Sequence, residues 1–430
     1  MVRPLIEQER IVAELEKLAS FSETPKPAIT RVIYTKPDLE ARLYLKGLCQ
    51  QAGLKVREDG LGNIFARWEG SEPDLPAVGT GSHFDAIPYA GMYDGTVGIL
   101  GGLEAIRALQ RADFRPRRSI ELLIFTSEEP TRFGLGCLGS RALSGALTAE
   151  SLYELRDADD RPLDEVRREA GYTAPLEEVP LPERYYSAFV ELHIEQGPIL
   201  EDEKVPIGVV TAIAAPAQLK VELEGVGGHA GAMLMNLRFD ALCAAAEIIL
   251  GVEAFAKNSG SINTVATVGL IENYPNAVNS VPSKVKLGID VRDIDQNRRD
   301  SVMRNILQGV EQVTTRREII QDVQIVNMDP PAKSGPEVLK AIVASAGEAG
   351  VKFKLMPSRA YHDSLFMARI CPTAMIFIPC LEGISHRPDE YSSPEDIAQG
   401  TYILALTLAK LSMAEEKAME SRDDPLVVQD

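Results

Sequence analysis

Near Pro206 the apolar pattern of this 430-residue chain changes, and beyond Pro330-Pro331 the earlier pattern returns. Single hydrophobic cores seldom grow past roughly 250–300 residues, so a chain of this length is expected to hold two domains. A pattern that is interrupted and then resumed implies more than a simple tandem. It predicts a larger α/β domain made from both chain ends, with a second unit inserted between them.

The first stretch carries apolar residues at helical spacing from Glu7 to Ala19 and from Lys36 to Ala52, with Gly53 as a stop. Leu54 to Glu58 and Gly62 to Trp68 read as strands around an Asp59-Gly60 turn. Pro76 to Ser82 and Ser119 to Phe125 are short apolar strands flanking an amphipathic helix, Gly95 to Leu109. Such alternation means an α/β layer. In the middle, Gln218 to Glu224, Ser261 to Leu270 and Lys284 to Val291 alternate as half-exposed strands, and Phe239 to Leu250 and Asn297 to Arg317 are helical. Two helices on a mostly antiparallel sheet make a compact α+β unit. After it come a helix at Glu337 to Ala349, a strand at Ala374 to Ile378 and a closing helix at Pro394 to Leu411. The expected boundaries are 1–212 and 329–415 for the larger domain, 213–328 for the insert and 416–430 for a charged, flexible tail poor in core residues.

Composition removes several classes of function. No apolar run is long enough to span a bilayer, and Met1 to Glu16 is charged and helical in pattern rather than leader-like, so the expectation is a cytoplasmic protein with no membrane partner. The five cysteines form no CxxC pair, which argues against a disulfide framework or a thiolate zinc site. A net charge of −18 speaks against nucleic acid, which is bound through clustered Lys and Arg.

Only five histidines exist, and each sits among Gly, Asp, Glu or Ser: His83, His193, His229, His362 and His386. His83 and Asp85 are two apart at the end of a predicted strand and so share a face, where Asp85 can orient His83. Asp94 follows, just before a helix, at a place where a carboxylate can bridge two cations. Glu128 and Glu129 end the Ser119 to Phe125 strand. Adjacent acids are usual on solvated loops, but the carboxyl end of a buried parallel strand is where α/β sheets place ligands. There, one acid can bind metal while its neighbour takes the proton of a water.

The segments GSHFDAIPYAGMYDG, FTSEEPTRFG, LHIEQGP, GGHAG and GISHRPDEYSSPED resemble the M20 metallopeptidase superfamily, and LHIEQGP its amidase branch. That branch comprises ureidoglycolate, allantoate and N-carbamoyl-L-amino acid amidohydrolases. The resemblance covers about Glu7 to Leu411 and implies a catalytic domain with a mixed sheet flanked by helices, plus an inserted α+β domain for dimerisation and lid closure. It implies two divalent ions per subunit, one held by His83, Asp94 and His193 and the other by Asp94, Glu129 and His386. Nitrogen and carboxylate ligands suit Mn²⁺ or Zn²⁺, with Co²⁺ and Ni²⁺ also compatible. Glu128 would be the general base and Asp85 a catalytic partner. His229, supplied across a homodimer, would steady the oxyanion, while Gln196, Asn279, Arg292 and His362 would contact the substrate. It also implies a cis peptide bond at Asp94-Gly95.

The implied activity is hydrolysis of a ureido C–N bond in a small carboxylate, closest to ureidoglycolate giving glyoxylate, ammonia and CO₂ in purine catabolism. Arg359, Tyr361 and Ser364 stand where allantoate and carbamoyl-amino acid enzymes carry small residues or Ala, and HAGAMLM lacks their usual Thr-Pro. Those two activities are the alternatives. A dipeptidase would need a site for a free amine, and LHIEQGP argues against it. A metal-free binding protein would have lost ligands, whereas every implied ligand and Glu128 are present.

Overall fold

The computed structural model describes residues 2–415. The expected tail, 416–430, lies outside the described residues. The chain divides into two compact units: one runs to Thr211, resumes over Ser334–Met356 and continues from His362, and the other comprises Ala212–Lys333 with Pro357–Tyr361. The sequence pattern assigns Pro357–Tyr361 to the larger unit. It joins the smaller one because Ala214 donates its N–H to the Ser358 carbonyl and the Tyr361 hydroxyl donates to Asp329.

The larger unit is built on a mixed sheet. Its neighbours run Ile207–Ile213, Thr373–Ile378, Tyr186–Ile194, Ala77–His83, Ile120–Phe125, Ile64–Trp68 and Lys55–Glu58. The four strands from Thr373–Ile378 to Ile120–Phe125 are parallel, and those outside them pair antiparallel. Residues of the inner strands are buried on both faces, as expected of parallel strands covered by helices. Period-two alternation splits them between two cores. Ile120, Leu122 and Ile124 pack with the helices Thr96–Arg111 and Pro394–Met413, while Leu123, Phe125 and Phe189 pack toward Leu138–Leu143.

Each helix and strand expected from sequence has a counterpart in the structure, and further, mostly short elements join them. Two of the added strands show why they escape the pattern. Tyr186–Ile194 is central and fully covered from Ala188 onward, but Glu191 and His193 break its apolar run. Ile320–Met328 is mostly exposed and has no apolar stripe to betray it.

The smaller unit is a four-stranded antiparallel sheet in the order Val265–Tyr274, Lys284–Asp293, Ala215–Glu224, Ile320–Met328, packed against the helices Ala241–Lys257 and Gln296–Arg317. Leu219, Val221 and Leu223 face those helices, while Lys220, Glu222 and Glu224 are exposed. On the exposed face Lys284 and Lys286 pair across strands with Glu224 and Glu222. The Asp240 and Asp295 side chains cap the two helices. No helix among the described residues is long and apolar enough to cross a membrane.

Two glycines test this packing in opposite directions. Gly81 lies in the central strand at φ 148°, and a Cβ there would come 1.7 Å from the Leu123 carbonyl oxygen. Gly81→Ala should cost at least about 2 kcal/mol in denaturant unfolding. Gly47 lies inside the Lys36–Gln51 helix, and a Cβ added there would meet nothing within 4 Å. Gly47→Ala should therefore gain about 0.5–1 kcal/mol. Equal responses at the two positions would contradict this packing.

Candidate metal centre

The carboxyl ends of the parallel strands converge on one cluster in the larger unit. His83 ends Ala77–His83, His193 lies one residue before the end of Tyr186–Ile194, and Glu128 and Glu129 follow Ile120–Phe125. Asp94 sits in the turn before Thr96–Arg111, and His386 follows the loop after Thr373–Ile378. Ligand atoms of His83, Asp94 and His193 lie within 4.8 Å of one another, as do those of Asp94, Glu129 and His386.

Asp94 divides the cluster. Its Oδ1 is 3.5 Å from His83 Nε2 and 3.2 Å from His193 Nε2, while Oδ2 is 3.2 Å from His386 Nε2. His386 Nε2 also lies 3.2 Å from Glu129 Oε1. Tautomers follow from the outer hydrogen bonds. His83 Nδ1 is 3.2 Å from the Asp85 carbonyl and His193 Nδ1 is 2.9 Å from the Ile194 carbonyl. A carbonyl oxygen only accepts, so each Nδ1 carries a proton and each Nε2 faces Asp94. The Gly95 backbone N lies 3.3 Å from His193 Nε2. An imidazole nitrogen set against a carboxylate oxygen needs a proton or a metal ion between them, so this donor set fits divalent ions on both sides of Asp94.

Asp85 does more than orient His83. Its carboxylate lies 3.5 Å from His83 Nδ1, farther than its own carbonyl, and accepts the backbone N–H of Glu128 and of Glu129 at 3.0 Å each. It thereby fixes the Ser127–Glu129 turn against the His83 strand. Glu128 is buried, with Oε2 4.0 Å from His83 Nε2 and Oε1 accepting the Cys137 thiol at 3.4 Å. Gln196 donates to Asp94 Oδ2 at 2.7 Å. His362 is buried and packs edge-on to His193, with ring centroids 4.6 Å apart. The Asp94-Gly95 bond is not cis: among the described residues the cis bonds are Lys26-Pro27 and Tyr274-Pro275. Gly95 makes the turn instead with φ at 67°.

Sequence reasoning misses Cys137, Ser385 and Glu390, since a lone Cys, Ser or loop Glu carries no spacing signal. The Ser385 hydroxyl lies 2.9 Å from Asp94 Oδ2, and Glu390 accepts the N–H groups of Tyr93 and Asp94. Backbone strain gathers here as well. Ser127, Cys137, Gln196 and His386 have φ of 55°, 56°, 56° and 59°, a region that side chains other than Gly avoid.

The implied residues of the smaller unit separate into two groups. His229 pairs with Ser280 in a short antiparallel ladder, so Asn279 lies beside it, and both are exposed. Arg292 is on the Lys284–Asp293 strand with its guanidinium on Asp290 at 2.8 Å. Arg359 donates to Asn263 at 3.0 Å.

The charges in the larger unit's cluster are mutually adjusted. Hydrogen bonds to Asp94 and Glu129 push His386 up to about 11. Burial opposes charge on His83, but Asp85, Asp94 and Glu128 raise it well above the ordinary imidazole value. Burial works against Asp94 too, yet the three histidines hold its carboxyl well below the usual range. Burial pushes Glu128 up, with Glu129, Asp363 and Asp94 adding to the effect. Protons therefore stand where divalent ions would, and binding must expel them. Since the imidazoles are raised, their protons are held at neutral pH and released as pH rises, so affinity should grow with pH. Mn²⁺ binding measured by calorimetry from pH 6 to 8 should release protons and tighten by about tenfold or more per unit. An affinity flat across that range would contradict this electrostatic picture.

The chain matches the family model "Peptidase family M20/M25/M40" over residues 79–410. It is 56% identical over 407 residues to the ureidoglycolate hydrolase of Arabidopsis thaliana, covering 93% of this chain and 86% of that protein. It is 35% identical over 412 residues to the N-carbamoyl-L-amino acid amidohydrolase of Geobacillus stearothermophilus, covering 96% and 100%. The solved structure of AtUAH in complex with glyoxylate superposes with a TM-score of 0.87 at 54% identity, covering 95% of this chain and 98% of that one.

Proposed function

This chain belongs to peptidase family M20/M25/M40, and from that premise we propose that it hydrolyses ureidoglycolate to glyoxylate, ammonia and CO₂ with two divalent ions, Mn²⁺ or Zn²⁺. The observation that carries the two-ion reading is Asp94, whose two oxygens face different histidines. The identity with a ureidoglycolate hydrolase supports the substrate. His83, Asp94 and His193 would hold the first ion, and Asp94, Glu129 and His386 the second. When bound, the pair supplies Lewis acidity, acidifying water and polarising the ureido carbonyl.

The protein's own groups do the rest. Glu128 takes the proton of the attacking water and passes it to the leaving nitrogen. Burial raises it above the ordinary carboxylate value, the direction a general base needs, and the Cys137 thiol on Oε1 leaves Oε2 on the His83 side. Asp85 holds the Glu128 backbone in place. Gln196 and His362 would contact the substrate. Arg292 would clamp its carboxylate with Asn279, since a guanidinium has five N–H donors and Asp290 engages two groups of them. His229 would reach the oxyanion across a homodimer, which suits its exposure. All five cysteines are free, in keeping with the reducing cytoplasm.

Glu128→Gln should keep both ions and lose about 10²–10⁴ in kcat. Mixed with inactive His229→Ala subunits it should regain part of the activity, because each hybrid holds one intact composite site. Loss of metal from Glu128→Gln would make it a ligand, and hybrids without turnover would place the whole site in one chain.

Substrate choice turns on Tyr361, which directly precedes His362 and is fixed by its bond to Asp329 at 2.8 Å. Allantoate carries a second ureido arm that a bulky, tethered ring disfavours. Assayed side by side on ureidoglycolate, allantoate and N-carbamoyl-amino acids with Mn²⁺, wild type should prefer ureidoglycolate. Tyr361→Gly should shift kcat/KM about tenfold or more toward allantoate. A wild-type preference for allantoate, or an unmoved ratio, overturns the assignment.

A further inference from the structure

One buried acid outside the ligand set holds two ligand-bearing loops at once. Glu390 ends the run His386–Asp389, whose residues are all exposed, yet it is itself only 4% exposed. A carboxylate withdrawn from water is costly unless its lone pairs are filled. Here Oε1 accepts the N–H of Tyr93 at 2.8 Å and of Asp94 at 3.0 Å, and Oε2 accepts the Ser385 hydroxyl at 2.9 Å. Ser385 also lies 2.9 Å from Asp94 Oδ2 and directly precedes His386. The chain makes room for this contact at Gly91, where a Cβ would come 2.3 Å from that of Glu390. The joined segments lie 297 residues apart in sequence, so no local structure sets their spacing. One supplies the shared carboxylate and the other the imidazole of the second ion.

We infer that Glu390, acting with Ser385, is a positioning residue for the second ion: it fixes the distance between the Asp94 turn and His386, and so decides whether Asp94, Glu129 and His386 can share a cation. His83 and His193, two of the three residues that would hold the first ion, are anchored separately, through the carbonyls of Asp85 and Ile194, so the first ion should depend on Glu390 less than the second, which would take both Asp94 and His386. The inference rests on the two-ion reading and not on the identity of the substrate.

The test is Mn²⁺ binding to the full-length protein by chelator competition, with Mn²⁺ content measured after free metal is removed. Wild type should bind two ions per chain, and one ion would overturn the two-ion premise itself. Glu390→Ala should weaken the second ion about 10–100-fold and the first by clearly less. Glu390→Gln should stay within a few-fold of wild type, because its amide oxygen still accepts both backbone N–H groups and its NH₂ can face Ser385. Two wild-type affinities in Glu390→Ala, or equal loss of both ions in a variant that melts cooperatively, would overturn the inference. If Glu390→Ala does not fold, Ser385→Ala decides, since it leaves the Glu390 bonds to the backbone intact. Selective weakening of the second ion supports the assignment, and an unchanged second ion refutes it.

Discussion

Everything in the larger unit answers to the crowding of acids and imidazoles around Asp94. Burying Asp94, Glu128 and Glu129 beside one another is unfavourable in any protein that leaves them uncompensated. Protons on the histidines offset that charge, and divalent cations would offset it better. The parallel strands make the crowding possible, because their carboxyl ends deliver His83, His193 and the Glu pair to the same edge. Asp85 and Glu390 then keep the loops from relaxing apart, each by accepting two backbone N–H groups.

Much of this is legible in the amino-acid sequence alone. Histidines confined to polar segments, and a pair of acids after an apolar strand, are anomalies against ordinary surface composition, and the structure brings His83, Asp94, Glu128, Glu129, His193, Gln196 and His386 together. Helices with a clear apolar stripe, such as Gln296–Arg317, are placed by their pattern nearly to the residue. The strand Tyr186–Ile194 is harder to read because its function intrudes on its fold: Glu191 and His193 occupy positions where a buried strand would otherwise be apolar. The roles of Ser385 and Glu390 are not readable, since they arise from contacts with the Asp94 turn far away in the chain, and that of Cys137 arises from a loop that folds back on Glu128 with no periodic pattern. The expected cis bond at Asp94-Gly95 fails for a local reason. A glycine with positive φ turns the chain there without it.

The smaller unit follows different physics. Its sheet has one covered face and one charged face, and its implied substrate residues use both ordinary and unusual placements. Arg292 sits in a salt bridge of the kind common on strand surfaces, and only its company in the sequence distinguishes it. His229 and Asn279 stand exposed at the same short two-residue ladder.

The left-handed residues of the metal centre have a consequence for how this protein could be improved. Ser127, Cys137, Gln196 and His386 each hold a conformation that costs a non-glycine residue on the order of 1–2 kcal/mol. Glycine would relieve that cost at every one of them, so selection for heat resistance alone would drift toward glycine. The side chains given up would include the Gln196 amide on Asp94, the Cys137 thiol on Glu128 and the His386 imidazole. Robustness and turnover therefore pull Cys137, Gln196 and His386 in opposite directions, and a thermally hardened variant should be sought in the helices and the Lys–Glu face of the smaller unit instead.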